Sequence, residues 1–145
     1  MGAFIISVNI SDKKGMKKKP VSAGLLEKAK GLSGDIHAEG GIRQLSLLAM
    51  ESIAKMKAKG HDVKPGDFAE NLTTSGIDLI NLPLGTLIKT TKGCLLKLSK
   101  KGKECHHHCE IYRQAGSCVM PTEGVFCEIL EGGPVLPGDG LEVIQ

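Results

Sequence analysis

Turn-forming residues divide this chain into short segments, and this division limits the available folds more than any other feature. Glycine accounts for 19 of the 145 residues, and many glycines stand between short apolar runs where a turn is expected. Pro-Gly-Asp occurs at Pro65 and at Pro137, and in both turns Pro fixes φ while Gly takes a positive φ. The sequences around the two turns do not match, which argues against an internal repeat. We therefore expect many short elements rather than a few long helices.

Two segments have the pattern of short helices. In residues 49–59, Met50 and Ile53 share one face, and Gly60 is a natural C-terminal stop. Residues 21–30 are predicted to form a second helix, because their leucines fall on one side and glycines follow.

The remaining apolar segments are short and bounded by turns, as β-strands are. Many short strands with glycine-rich turns and one or two helices are typical of a closed or nearly closed β-barrel. A length of 145 residues suits one hydrophobic core. We expect a single domain over residues 1–145 with a mainly β fold, a β-barrel with a few short helices. The predicted strands are 3–10, 45–48, 86–90, 94–99, 125–130 and 141–144.

The composition argues against nucleic-acid and membrane partners. The formal net charge is only +3 and aromatic residues make up 3%, which is too little charge and too few stacking rings for nucleic acid. No apolar stretch approaches the roughly 18 residues of a membrane span. The N-terminal apolar run is short and lacks the basic flank of a signal peptide. We therefore expect a cytoplasmic protein.

The lysines fall into two clusters. We expect both clusters to be solvated loops, and the alternative is that they attract an anionic ligand such as a phosphate. The clusters are Lys13, Lys14, Lys17, Lys18 and Lys19, and Lys97, Lys100, Lys101 and Lys103.

The five cysteines divide into two kinds by their neighbours. In a reducing compartment structural disulfides are not expected, so each thiol needs another explanation. Cys94 and Cys127 stand inside apolar strands, and we predict that both are small buried core residues. Cys109 has a polar neighbourhood, which favours a functional thiol.

Three cysteines and three histidines lie within the fourteen residues from Cys105 to Cys118. Thiolate and imidazole are the strongest protein ligands for soft and borderline metals. Thiolate is also the nucleophile of sulfur transfer, and the nearby cations Lys103 and Arg113 are candidates for lowering its pKa. A zinc site is the competing interpretation, although no second close pair follows Cys105 and Cys109. An iron–sulfur cluster fits less well, because the spacing matches neither common ferredoxin pattern.

Two further segments have polar groups suited to ligand binding. A glycine-rich loop precedes Arg43; such loops bring backbone N–H groups close to anions, and the guanidinium offers a planar fork for phosphate. In that loop His37 is open to three roles, as a ligand, an acid–base group or a polar hinge. Asn71 offers two donors and an acceptor, as a pterin-like ring edge would require. The nearby Asp67 and Glu70 are alternatively explained as turn-capping residues.

Taken together, these segments resemble the MOSC family, which is named for the C-terminal domain of molybdenum cofactor sulfurase. The matching segments appear in the family's order and are GDIHA (34–38), RQLSLL (43–48), GDFAENLT (66–73), Cys105 to Cys118, MPTEGVF (120–126) and PGD (137–139). The resemblance implies a β-barrel that binds a molybdopterin-type cofactor or carries sulfur. It also implies that Cys109 holds the metal or the transferable sulfur, with Cys118 as the other candidate thiol. The residues that the resemblance places around the cofactor are His37, Arg43, Gln44, Ser46, Asn71 and Cys105.

The chain resembles the short stand-alone prokaryotic members of that family, without the further domains of the larger proteins. We expect a module that binds the molybdenum cofactor (molybdopterin) or carries sulfur for molybdoenzyme maturation. A cysteine desulfurase or a molybdoenzyme is the expected partner. The first alternative is a zinc-stabilised structural or interaction module. The second is a small molybdenum-dependent reductase of N-hydroxylated compounds, so the sequence leaves open whether the chain is an enzyme.

Overall fold

A computed structural model describes residues 2–11, 18–35, 40–41, 44–60, 62–101 and 124–144. Within them the chain forms short strands, one α-helix, and a 3-10 turn at Leu79–Asn81. The helix α1 is Met50–Ala58. The strands are β1 (Ala3–Ile10), β2 (Lys19–Val21), β3 (Gly24–Glu27), β4 (Gly31–Leu32), β5 (Leu45–Ala49), β6 (Leu72–Ser75), β7 (Leu87–Thr90), β8 (Leu95–Lys101), β9 (Val125–Glu131), β10 (Gly133–Val135) and β11 (Gly140–Ile144).

Seven of the strands close into a barrel in the order β11-β7-β8-β9-β5-β6-β1. The barrel closes where β1 pairs with β11, with Ala3 opposite Leu141 and Phe4 opposite Gly140. Neighbouring strands are antiparallel except β5 and β6, which are parallel and are joined through α1, as a parallel pair requires a crossover connection. β2 adds to the edge of β1, and β10, β3 and β4 form a separate small sheet. The predicted mainly β fold and β-barrel are confirmed.

The barrel interior is an apolar core built from alternate residues of each strand. On β5 and β9, Leu45 lies opposite Cys127 and Leu47 opposite Val125, and all four side chains are fully buried. Strand alternation sends these residues inward and their neighbours outward. Cys94 belongs to the same core cluster, so the prediction that Cys94 and Cys127 are buried core residues is confirmed.

The helix α1 covers part of the outer barrel surface. Ile53 and Met56, three residues apart, share one face and are buried in a second apolar cluster. Gly60 follows the helix with φ +95°, a conformation that glycine adopts without strain. The predicted helix over 49–59 is confirmed. The outer apolar cluster consists of Leu48, Ile53, Met56, Val63, Phe68, Ala69 and Phe126.

The predicted helix over 21–30 is wrong, because this segment contains the end of β2 and the whole of β3. Leu26 is buried while its neighbour Leu25 is half exposed, which is the alternation of a strand. β3 pairs with β10, with Leu26 opposite Gly133. Gly24 lets the strand approach the core, since a Cβ there would lie 2.7 Å from Leu32 Cδ1. Pairing with a segment more than a hundred residues away therefore overrides the local helical pattern.

Candidate functional site

The predicted site residues divide between the described and the undescribed parts of the chain. His37, Arg43, Cys105, Cys109 and Cys118 lie outside the described residues. Gln44, Ser46 and Asn71 lie within them, and all three are buried. These three side chains and their neighbours form the described part of the candidate site.

Ser46 and Asn71 are joined by reciprocal hydrogen bonds. Asn71 Oδ1 accepts from the Ser46 backbone N–H at 3.0 Å and from its hydroxyl at 3.1 Å. In return, the Asn71 backbone N–H lies 2.9 Å from Ser46 Oγ and 3.0 Å from the Ser46 carbonyl oxygen. Asn71 Nδ2 also donates to the Asn9 carbonyl oxygen at 3.4 Å. Asn71 thus ties the start of β6 to both β5 and β1.

Ser46 and Asn71 belong to a larger buried hydrogen-bond network, which extends through Asn9 to Glu70. The Thr73 hydroxyl donates to Glu70 Oε2 at 2.7 Å. Asn9 Nδ2 donates to the Glu70 carbonyl oxygen at 3.1 Å and to Thr73 Oγ1 at 3.2 Å, and Asn9 Oδ1 accepts from the Ser7 hydroxyl at 2.6 Å. We call this group the outer polar layer, and its members are Ser7, Asn9, Ser46, Glu70, Asn71 and Thr73.

Glu70 is completely buried and its electrostatics are dominated by that burial. Desolvation raises the pKa of Glu70 from its ordinary 4.5 to about 7, because burial disfavours the charged form. The Thr73 hydroxyl and the backbone N–H groups of Gly66, Phe68 and Glu70 itself lower this pKa by less. Glu70 Oε1 makes no hydrogen bond to any residue in the described part of the chain. The carboxyl is therefore balanced between its two protonation states near neutral pH.

The turn at residues 63–71 covers the outer polar layer and contains two residues with a left-handed φ, Gly66 and Ala69. Gly66 has φ +90°, and a Cβ there would lie 2.3 Å from the Lys18 carbonyl oxygen, so only glycine fits. Ala69 has φ +63°, an uncommon conformation for a residue with a side chain. The Ala69 carbonyl oxygen accepts a hydrogen bond from the Ser46 hydroxyl at 3.4 Å. The strained turn is thus held directly over β5.

A buried ion pair joins Asp35 to Lys18, which in turn contacts the 63–71 turn. The Lys18 ammonium lies 2.7 and 3.0 Å from the two oxygens of Asp35, and both side chains are essentially inaccessible. Asp35 Oδ1 also accepts from the Ser11 backbone N–H at 2.8 Å, and the Lys18 backbone N–H donates to the Gly66 carbonyl oxygen at 2.8 Å. The expectation that the first lysine cluster is wholly solvated is therefore wrong at Lys18, because Asp35 compensates its buried charge.

Gln44 connects the same region to β9. Its Oε1 accepts from the Ile129 backbone N–H at 2.8 Å, and its Nε2 donates to the Gly41 carbonyl oxygen at 2.8 Å. Each amide nitrogen carries two N–H groups, and the described bonds use one at Gln44 and one at Asn71. Within the described residues, the second N–H of each amide makes no hydrogen bond.

Three of the segments that resemble the family motifs therefore meet at one side of the barrel. Lys18 links Asp35 to Gly66, and Ser46 bonds directly to Asn71. Asn9 links β1 to the 66–73 segment at Glu70, Asn71 and Thr73. Sequence reasoning missed Lys18 and Asn9. The signal for Asn9 was present, since Ser7 and Asn9 are polar at a spacing of two in an otherwise apolar strand.

A cleft of about 470 Å³ lies elsewhere, between the start of α1 and residues 76–81. Gln44, Ser46 and Asn71 do not line it. The described residues contain no group of three or more His, Cys, Asp or Glu side chains placed to hold a metal ion. No helix in the described ranges is both long and apolar enough to cross a membrane.

Comparison with known proteins supports one family. The model of the MOSC domain matches residues 34–142, whereas no curated protein matches the sequence. The YuaD protein of Bacillus subtilis is similar in structure, with a TM-score of 0.83 at 22% identity, covering 99% of this chain and 96% of that one. YiiM of Geobacillus stearothermophilus has a TM-score of 0.77 at 19% identity, covering 99% and 75%. YiiM of Escherichia coli has a TM-score of 0.71 at 19% identity, covering 100% and 71%. At these identities the structural likeness establishes the fold.

Proposed function

The chain belongs to the MOSC domain family, and from that premise we propose that it binds a molybdopterin-type cofactor or carries sulfur for one. Cys109 is the proposed reactive thiol and metal ligand, with Cys105 and Cys118 in the same cysteine–histidine segment. The family is linked to the molybdenum cofactor, which supports a role related to that cofactor. The cargo and the assigned residues are our proposal.

The observation that carries the proposal is the meeting of separate motif segments in one buried polar layer. Ser46 and Asn71 are 25 residues apart in sequence yet share reciprocal hydrogen bonds. Asp35 is tied to the covering turn through Lys18. Buried polar networks in which most groups are paired specify geometry closely. Such a frame suits the accurate placement of ligand-binding residues in the adjoining segments, which include His37 and Arg43.

The donor set fits a pterin-like group. Neutral amides and hydroxyls recognise the donor and acceptor pattern of a ring edge. Among the described residues, Gln44 and Asn71 each use one of two amide N–H groups, and the second is the group proposed for the ligand. We propose that these amides, with Ser46, orient the cofactor, while Arg43 and His37 bind its anionic end. When bound, the cofactor would supply molybdenum redox chemistry or accept a terminal sulfur, with the protein supplying orientation.

The sulfur-carrier form of the proposal assigns one chemical step to Cys109. Its thiolate attacks the outer sulfur of a donor persulfide, and a new sulfur–sulfur bond forms at Cys109 while the donor's bond breaks. The donor leaves as a thiolate, so that no external oxidant is required. A cysteine desulfurase is the class of partner that presents such a persulfide.

The test is intact-mass and metal analysis of the protein co-expressed with the molybdenum-cofactor pathway. We expect molybdenum, or the added mass of one sulfur atom, in the wild type and its loss in Cys109→Ser. Cys118→Ser tests the other candidate thiol, and Cys127→Ala, in the barrel interior, is the matched control that should keep the cargo. Unchanged loading in Cys109→Ser would overturn the assignment of this cysteine.

The same analysis separates the alternatives. One zinc per chain, with unfolding on chelation, would replace the proposal by a zinc-stabilised module, because structural zinc contributes directly to folding. Bound molybdenum together with reduction of N-hydroxylated compounds would instead identify the small reductase.

A further inference from the structure

The Glu70 carboxyl is buried, and no described residue offers it a counter-charge. The three strands beneath the outer polar layer have no ionisable side chain along their whole length: β1 reads AFIISVNI, β5 LSLLA and β6 LTTS. The groups nearest to Glu70 are hydroxyl, amide and backbone groups contributed by Thr73, Asn9 and the turn itself. None of these groups neutralises a negative charge.

The charged groups on the neighbouring elements are already committed or exposed. In the same turn, Asp67 accepts from the Lys64 backbone N–H at 3.1 Å and lies 3.9 Å from its ammonium. The Lys18 ammonium is bound by both oxygens of Asp35. The charged side chains of α1 are exposed and are Glu51, Lys55 and Lys57. An ionised Glu70 would therefore lack a cation among the described residues.

The unpaired oxygen of Glu70 points to the missing ligand. Buried polar atoms in native proteins are nearly always paired, and an exception requires an explanation. Glu70 Oε1 is such an exception in the described structure, and a buried carboxylate with one free oxygen and no cation costs several kcal/mol in general. Binding one proton removes that cost without any movement of the chain.

We propose that Glu70 is a proton-binding switch that controls how firmly the 63–71 turn lies on the barrel. With the proton bound, the turn stays closed over β5 and β6. Without it, the charged carboxyl favours opening of the turn to water, and the Asn71–Ser46 hydrogen bonds open with it. The consequence for ligand binding rests on the proposed function, since Asn71 and Ser46 are proposed to orient the cofactor.

The size of the effect follows from proton linkage. The folded protein holds the pKa of Glu70 at about 7, while an opened turn restores the ordinary value of 4.5. Opening therefore releases a proton and becomes easier as pH rises between these values. The opening constant should rise about 30-fold between pH 5.5 and pH 8.5.

The first experiment titrates the carboxyl directly in the wild-type chain by carbon NMR with labelled glutamate side chains. We expect one glutamate signal with a midpoint near neutral pH, absent from Glu70→Gln and retained in Glu142→Gln, an exposed control on β11. If every glutamate titrates at ordinary acidic pH, the switch does not exist. This result does not depend on Glu70→Gln folding, because the wild-type titration decides it.

The second experiment measures amide hydrogen exchange at Ser46 and Asn71 after correction for intrinsic rates. The wild type should lose protection by about 30-fold over the same pH range, whereas Glu70→Gln should show a flat profile. Equal pH dependence in both proteins would overturn the proposal. Cofactor or sulfur loading is measured separately. If loading fails at every pH while Glu70 titrates with a midpoint near neutral pH, the proposed function is removed and the switch remains.

Discussion

The barrel interior and the outer polar layer lie on opposite faces of the same strands and use opposite chemistry. On β5, Leu45 and Leu47 point into an apolar core, while Ser46 between them points out to Asn71. Interior contacts are non-directional, and their strength follows the apolar area that they bury. The contacts of the layer are directional hydrogen bonds, and each one is electrostatically stronger in a low-dielectric site than in water. The interior therefore supports the barrel, and the layer determines the geometry of the covering turn.

The difference also shows where the functional signals of the sequence are located. From the 43–48 and 66–73 segments, the layer contains Ser46, Glu70, Asn71 and Thr73. The two cores contain their apolar residues, which are Leu45, Leu47, Leu48, Phe68, Ala69 and Leu72. A core of this kind tolerates hydrophobic exchange at constant volume. A buried polar network does not, because losing one partner leaves another polar group unpaired. Substitutions in the interior should therefore lower stability through lost apolar packing, whereas substitutions in the layer should lower it by leaving a buried polar or charged group unpaired.

The largest expected effect is the loss of the buried ion pair at the edge of the layer. Lys18→Met removes the ammonium that both Asp35 oxygens contact and leaves a buried carboxylate without its cation. We expect the free energy of unfolding to fall by about 4 kcal/mol, measured by urea denaturation. The control is Lys64→Met, whose ammonium is exposed and 3.9 Å from Asp67, with a change below about 0.5 kcal/mol. Equal effects of the two variants would show that burial does not strengthen the Lys18 pair.

Truncation in the barrel interior should come next. Leu47→Ala leaves a cavity in a fully buried position and should cost about 3 kcal/mol by the same measurement. Leu84→Ala, at a side chain that is 61% exposed, should cost less than about 0.5 kcal/mol. A small loss for Leu47→Ala would mean that the barrel collapses around the cavity and that the interior is less rigid than the layer.

The pH dependence of the free energy of unfolding should be determined by Glu70, the ionisable residue of the outer polar layer. Because the pKa of Glu70 is raised from 4.5 to about 7, the folded state binds more protons than the unfolded state between these values. Stability is then fully present below pH 4.5 and declines as pH rises towards 7. Between pH 5 and pH 8 the wild type should lose about 2.5 kcal/mol relative to Glu70→Gln. Parallel stability curves for the two proteins would contradict this prediction.

The smallest expected effect is at an interior thiol. Burial raises the pKa of Cys127 to about 12, so this thiol is neutral and unreactive in the folded protein. Cys127→Ala should lower the free energy of unfolding by about 1 kcal/mol and leave any cargo on the chain unchanged. Native alkylation followed by mass spectrometry should find Cys94 and Cys127 unmodified until the protein is denatured. Rapid modification of either thiol would show that the interior opens more readily than its burial indicates.

Local sequence patterns predicted the barrel and α1 because both depend on short-range chemistry. Glycine turns and short apolar runs predict the strands, and the spacing of Met50 and Ile53 predicts the helical face. The local pattern of the 21–30 segment predicts a helix, and this prediction is wrong because β10, the partner of β3, lies far along the chain. The sequence around Glu70 is compatible with a turn-capping residue, because nothing near it in sequence reveals that it is completely buried.

The sequence by itself determined the class of fold, the family resemblance and the burial of Cys94 and Cys127, since each depends on residue type and local spacing. The tertiary structure alone decided that Lys18 is buried against Asp35, that Asn9 joins Asn71, and that the Glu70 carboxyl has one unpaired oxygen. The physical reason is that burial and hydrogen-bond partnership belong to pairs of distant segments. Neither is settled until the barrel closes and the 63–71 turn covers its outer face.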